Sequence, residues 1–246
     1  MKKKKLIKFI PLAIVLLLTA YCAIWVSSYY RPAEEATAVF NNSSSIEISK
    51  DKFITFAPKE KKSKTGFIFY PGGKVAADAY APLCSKIAAS GYKVIIAPMP
   101  LNLAILSSDK ASDVIAANPD VENWVIGGHS LGGVMAASYA YKHPDQVKGL
   151  VLYAAYPQDK NNMSKQNLKV LSVWGTEDGC ADLKKVQGAK SLVPEDAEFK
   201  AIEGGNHAQF GSYGPQKGDN SAKITSAEQQ SMAAQYTISL LNEISK

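Results

Sequence analysis

Residues 124–133 read Trp-Val-Ile-Gly-Gly-His-Ser-Leu-Gly-Gly. An apolar, strand-like run meets a Gly-x-Ser-x-Gly turn in which Gly128, Ser130 and Gly132 hold the fixed positions. A helical pattern of alanine, methionine and tyrosine follows from Val134 to Ala140. A strand that turns this sharply into a helix holds the tip residue in a strained conformation with its side chain outward. The residues two before and two after must lack bulk, or strand and helix collide. Ser130 is the tip residue and the candidate nucleophile. The helix that begins at Leu131 aims its positive end at the place where an oxyanion would form. In isolation such a motif is a common Gly/Ser turn, so its meaning depends on the rest of the chain.

On both sides of the turn, strand-like and helix-like patterns alternate. Short runs rich in valine and isoleucine occupy 66–70, 93–97, 124–127, 149–153, 170–174 and 198–202, as strands buried on both faces should. Helical patterns lie at 79–89, 109–117, 131–141 and 181–192, and a long one closes the chain at 226–244. A leading hairpin is expected over 46–49 and 53–57. The alternation predicts an α/β fold with a mainly parallel sheet, helices on both faces and right-handed crossovers. In such sheets the chemistry gathers at the carboxyl ends of the strands.

A serine hydroxyl needs a base within hydrogen-bond reach, and the base needs an orienting carboxylate. The chain has three histidines. His129 neighbours Ser130 on the turn, where adjacent side chains diverge. His143 ends the following helix and is carried away from the strand tips. His207 follows the last strand in Glu203-Gly204-Gly205-Asn206-His207 and is therefore the expected base. The loop after the preceding strand, Trp174-Gly175-Thr176-Glu177-Asp178-Gly179, should supply the acid. Asp178 is the choice, with Glu177 as the alternative and Asp182 less favoured because it falls in the next helix. The oxyanion needs two backbone N–H donors. One is Leu131, the residue after the nucleophile. The other comes from Tyr70-Pro71-Gly72-Gly73-Lys74 after the first parallel strand, where Gly73 is preferred and Lys74 is second.

Together these residues resemble the α/β-hydrolase superfamily, in its small, lid-poor, dienelactone-hydrolase-like and carboxylesterase-like branch. The resemblance runs from about residue 66 to the C-terminus and rests on Gly72-Gly73, Gly128 to Gly132, Asp178 and His207, in that order at strand ends. It implies a serine hydrolase that needs no cofactor or metal. Pro71 departs from the pattern, since many members carry histidine before the oxyanion glycine. Asn206 to Gly214 resembles a feature of an exported bacterial subgroup and is expected to shape the pocket wall.

The 246 residues suit one such domain, and 46% hydrophobic residues suit its core. Of the net charge of +6, five units come from Lys2, Lys3, Lys4, Lys5 and Lys8, and residues 1–30 hold no acid. The remainder is nearly neutral, which argues against a nucleic-acid partner. The lysines precede an apolar run over 9–26, long enough at ~1.5 Å per residue to span a bilayer. Residues 1–30 therefore read as a signal-anchor or transmembrane segment, with Trp25, Tyr29 and Tyr30 at the far interface. A cleaved signal peptide is the rival, with Ala20-Tyr21-Cys22 as a passable site. Residues 31–45 read as a polar linker and 46–246 as the catalytic domain, placed outside the cytoplasm. Three cysteines, Cys22, Cys84 and Cys180, are too few for a disulfide framework, and the two in the domain read as buried free thiols. No Cys/His cluster has metal-ligand spacing.

Only residues 154–168 separate two strands at the usual place for a lid, so no sizeable cap domain and an open, shallow site are expected. Lys74, Tyr80, Met99, Pro100, Leu101, Tyr156, Trp174 and Phe210 are candidate walls. The expected substrate is a small-molecule ester or related acyl compound. Two alternatives stay open: acyl transfer by the same residues, and a non-catalytic domain that binds envelope components.

Overall fold

The computed structural model describes residues 10–41, 45–60 and 63–246. Eight strands form one sheet: β1 (Ile46–Lys50), β2 (Ile54–Pro58), β3 (Thr65–Tyr70), β4 (Lys93–Ile96), β5 (Asn123–His129), β6 (Gly149–Tyr153), β7 (Lys169–Gly175) and β8 (Glu198–Ile202). Their order is β1-β2-β4-β3-β5-β6-β7-β8. β1 with β2 and β2 with β4 pair antiparallel, and every later pair in that order is parallel. This is an α/β-hydrolase fold.

All residues of β3 and β6 are buried, as a strand covered on both faces requires. Successive side chains point to opposite faces and so enter two different cores. Phe67 and Phe69 join the core beneath α3 (Ala81–Ala88) and α7 (Ser226–Ile244). Ile68 and Tyr70 join the core beneath α4 (Lys110–Ala117) and α5 (Leu131–Lys142). No large cap interrupts the sheet, since 154–168 is a short connection between β6 and β7.

Two expected helices are shorter than their periodicity. The run at 79–89 begins as one 3-10 turn, Ala77–Tyr80, because Pro82 is tolerated only in the first turn of an α-helix. The run at 181–192 becomes α6 (Leu183–Gly188) plus a 3-10 turn, Ala189–Leu192. Asp182 sets its start by accepting the Lys184 and Lys185 amides.

The N-terminal stretch departs from its reading as a linker. The first helix, α1 (Ile10–Ser27), is followed by chain laid directly on the domain. Tyr30 donates its N–H to the Lys74 carbonyl at 2.7 Å and accepts the Ala76 N–H at 3.0 Å. Ala33 donates to the Ser212 carbonyl at 2.8 Å. A short helix, α2 (Glu34–Ala38), buries Ala36 completely. Its small residue lets the backbone approach the core, and Glu34 and Glu35 suit its positive end. Residues 42–44 of that stretch, and Lys2 to Lys5, Lys8 and Phe9 of the anchor reading, lie outside the described residues. The described side chains of α1 begin at Leu12, and among the described residues no helix is long and apolar enough to cross a membrane.

Candidate active site

The carboxyl ends of β3, β5, β7 and β8 bring the sequence-selected residues together. Ser130 stands between β5 and α5 with φ 52° and ψ −123°, a region that non-glycine residues rarely enter. The strain is held from three sides. Ser130 donates its N–H to the Tyr153 carbonyl at 2.9 Å. A Cβ on Gly128 would sit 2.6 Å from the Tyr70 carbonyl oxygen, and one on Gly132 only 2.2 Å from the same atom. The two glycines therefore let strand and helix close onto β3.

His207 and Asp178 meet below the tip. Nδ1 of His207 lies 2.8 Å from Oδ2 of Asp178, and both side chains are buried. The other Asp178 oxygen accepts the Cys180 and Ala181 amides at 2.8 and 2.7 Å. Every hydrogen bond to this carboxyl thus suits the ionised form. An ionised partner draws the ring proton to Nδ1 and leaves Nε2 as the basic nitrogen. The alternatives are engaged elsewhere. Glu177 pairs with Lys223 at 2.6 Å, Asp182 caps α6, and His143 faces Asp109 at 3.7 Å.

Ser130 and His207 line one open cavity of about 260 Å³ with Leu131, Val134, Ala154, Tyr156 and Cys180. Among the described residues no hydrogen bond joins Ser130 Oγ to the ring, a contact that commonly tightens once substrate binds. Of the residues expected as walls, Tyr156 lines this cavity. Tyr80 and Phe210 instead lie fully buried against His129, and Trp174 packs on Phe199. Phe210 packs on His129 and Tyr153, and Tyr213 on Tyr30 and Tyr80, so neither forms a wall of this cavity.

The amides near the serine separate cleanly. Gly72 donates to Tyr80 Oη at 3.0 Å, and Lys74 donates to the Asn102 carbonyl at 2.8 Å. The Gly73 and Leu131 N–H groups have no acceptor among the described residues. The two residues are neighbours, since a Cβ on Gly73 would stand 3.1 Å from the Leu131 side chain. Lys74, the second choice for this donor, is thereby occupied.

Several supporting residues were not legible in the sequence. Asp219 accepts the amides of Gly179 at 2.9 Å, Ala208 at 2.8 Å, Asn220 at 3.0 Å and His207 at 3.3 Å. One carboxylate thus ties the acid loop to the base loop. Gln229, fully buried, accepts the Asn206 N–H at 2.9 Å and donates to the Asn206 carbonyl at 2.7 Å. The only sequence signal for Gln229 is its place on the apolar face of a long helix. Asp219 sits in a Gly-Asp-Asn-Ser run that reads as an ordinary turn. Cys84 is a buried free thiol as expected, whereas Cys180 is exposed in the cavity. Burial and the carboxylates of Asp219 and Asp178 push the Cys180 thiol up, away from the reactive thiolate.

His129 diverges from the cavity and is fully enclosed. Its Nδ1 lies 2.8 Å from Tyr80 Oη, and its ring centre is 4.5 Å from that of His207. Burial, reinforced by the neighbouring His207 ring, holds its pKa well below the ordinary histidine value. Burial drives the Tyr80 hydroxyl up, so this pair stays neutral.

Comparison with known proteins agrees with this architecture. No curated protein matches the chain. Among solved structures, a hydrolase from Thermoplasma acidophilum described as CIB-like is 17% identical, with a TM-score of 0.62 over 79% of this chain and 99% of that one. A bacterial membrane phospholipase A is 14% identical, with a TM-score of 0.63 over 99% of both chains. The carboxylesterase CesB from Bacillus subtilis is 11% identical, with a TM-score of 0.59 over 85% of this chain and 95% of that one. At these identities the likeness is one of fold. Residues 66–231 match the sequence description of the Alpha/beta hydrolase family, which covers the turn, Asp178 and His207, and the chain belongs to that family.

Proposed function

We propose that the protein is a serine hydrolase that cleaves carboxylic esters through a covalent acyl-enzyme. The observation that carries this reading is the His207–Asp178 pair, 2.8 Å apart and buried beside a serine held at φ 52°. A buried histidine–carboxylate pair could be purely structural. It would then not need a strained serine and the unclaimed Leu131 amide at the same cavity, with Gly73 next to it.

The geometry supports the following course. Ser130 Oγ attacks the ester carbonyl carbon while its proton passes to His207 Nε2. Asp178 keeps the imidazole in the required tautomer and steadies the imidazolium. The Gly73 and Leu131 amides receive the oxyanion, each contributing on the order of 3 kcal/mol to the transition state. The carbon–oxygen bond to the alcohol breaks, and the alcohol leaves with the proton from His207. Water, deprotonated by the same ring, then attacks the acyl carbon. The carboxylic acid departs and Ser130 recovers its proton.

Residues 1–30 are proposed to anchor the chain in a membrane, with the catalytic domain on the extracytoplasmic side. The lysine cluster ahead of the apolar run over 9–26 supports this. The test of the activity is hydrolysis of short acyl esters by the purified protein. Ser130→Ala should lower kcat by at least ~10³-fold with the fold unchanged. Equal rates for variant and parent would dismiss the reading.

A further inference from the structure

Two apolar features that the chemistry does not use meet at one edge of the site. Outside α1, the described residues leave four large hydrophobic side chains exposed, and three of them, Leu101, Ile105 and Leu106, are close neighbours in sequence. They sit on two 3-10 turns, Pro100–Asn102 and Ala104–Ser107. The first turn borders the oxyanion loop, because the Asn102 carbonyl holds the Lys74 amide next to Gly73. The second packs on α5, which begins at Leu131. Leu101 and Asn102 both adopt positive φ, at 53° and 55°, in a loop that leaves Leu101 facing outward.

The root of α1 is fastened to the same edge. Lys74 Nζ lies 2.9 Å from Ser28 Oγ and 4.4 Å from the centre of the Trp25 ring. Tyr30 pairs with Val75. Along α1 the aliphatic side chains face outward, with Leu17 at 71% and Ile24 at 68% exposure. An apolar helix and an apolar rim thus flank one oxyanion amide. A soluble domain rarely groups its exposed aliphatic side chains in this way without a partner for them.

Charge and shape favour one partner. Arg31 and Lys74 stand at the helix root, where anionic lipid headgroups would meet them, beside the amphipathic rings of Trp25, Tyr29 and Tyr30. A protein that covered both helix and rim would sit across the mouth. A lipid surface covers both and supplies the mouth with acyl chains.

We infer that this edge is a lipid-docking surface on which Leu101, Ile105 and Leu106 rest in a bilayer, and that the site takes acyl esters of lipids resident there. The inference rests on the proposed serine chemistry and anchor. It gives the anchor a purpose beyond tethering, since fastening at Lys74 turns the mouth toward the membrane.

The test uses the full chain in a Cys22→Ser/Cys180→Ser background, with an environment-sensitive dye on Ile105→Cys. A second protein carries the dye on Ser90→Cys, just before β4 and so at the opposite end of the sheet. Both are reconstituted into phosphatidylcholine–phosphatidylglycerol vesicles that contain doxyl-labelled lipid. The dye at 105 should be quenched several-fold more than the dye at 90. Equal quenching, or protein that fails to sediment with the vesicles, overturns the docking surface. So does a concentration-dependent blue shift at 105 without lipid, which would assign the rim to a second copy of the chain.

Activity separates the substrate from the surface. Ile105→Ser/Leu106→Ser should lose about tenfold on a vesicle-borne diacyl ester and keep its rate on a soluble short-chain ester. Unchanged rates on both overturn the lipid substrate. Wild-type protein that cleaves neither ester, while the dye at 105 is still quenched, refutes the serine chemistry and leaves the docking surface standing.

Discussion

Tyr80 Oη lies 2.8 Å from Nδ1 of His129 and accepts the Gly72 amide at 3.0 Å. The histidine next to the nucleophile therefore steers the oxyanion loop through one hydroxyl. Because both groups stay neutral, the hydroxyl donates to the ring and accepts from the amide at once. Tyr80→Phe keeps the buried ring and removes both bonds. It should lower kcat by about tenfold or more with little change in KM, because the loop is proposed to bind the oxyanion and not the ground-state ester. Steady-state kinetics beside a thermal melt check this. A lower Tm with unchanged kcat would mean that Tyr80 only satisfies buried polar groups.

Asp219 makes a comparable connection between the acid and base loops. Asp219→Ala leaves the exposed Gly179 and Asn220 amides to solvent but strands the half-buried His207 and Ala208 amides, at a cost on the order of 1 kcal/mol each. The variant should lose both stability and kcat. Asp219→Asn keeps one accepting oxygen and should recover part of each. The pH profile of kcat/KM gives the discriminating readout, since a loosened His207–Asp178 pair shifts its acidic limb. A variant with lowered Tm and an unmoved profile would limit Asp219 to a structural role.

His129 ties stability to pH. Its folded pKa lies well below the ordinary value of 6.5, chiefly through burial. The unfolded chain therefore takes up a proton below about pH 6.5 while the folded chain does not. Stability should be complete above that value and fall as the pH drops below it, by up to ~1.4 kcal/mol per pH unit for this one group. Urea melts of the parent and of His129→Asn between neutral and mildly acid pH test the assignment, and the variant should give the flatter dependence.

The turn tolerates no added methyl at its second glycine. A Cβ at position 132 meets backbone on two sides, 2.2 Å from the Tyr70 oxygen and 2.4 Å from the Pro71 oxygen. Neither atom can rotate away. Gly132→Ala should cost more than about 3 kcal/mol or prevent folding, whereas Gly188→Ala meets open space and should be close to neutral. Denaturant unfolding of the two variants separates a specific clash from a general sensitivity of glycines.

The strands were legible because buried parallel strands are short apolar runs, and the turn was legible because its glycines are a steric necessity. Ser130, Asp178 and His207 could be chosen since each follows a recognisable strand and few histidines compete. Gly73 was preferred to Lys74 in the sequence, and the bond from the Lys74 amide to the Asn102 carbonyl favours the same choice. What stayed hidden depends on contacts between distant segments. Asp219 reads as a turn residue until its four amides are in place. Residues 31–45 read as a tether because their polarity masks the buried Ala36 and the bond from the Ala33 amide to the Ser212 carbonyl. Tyr156 lines the cavity as expected, whereas Tyr80, Trp174 and Phe210 do not, since aromatic character does not say whether a ring lies in a cavity or beneath it.

The most direct test of the central claim is reaction of the folded protein with a fluorophosphonate probe, followed by mapping of the adduct. One equivalent should attach at Ser130, and His207→Ala should slow labelling by at least ~10²-fold because the hydroxyl loses its base. No adduct on a folded sample, or labelling of Ser130 that is indifferent to His207, would contradict the account.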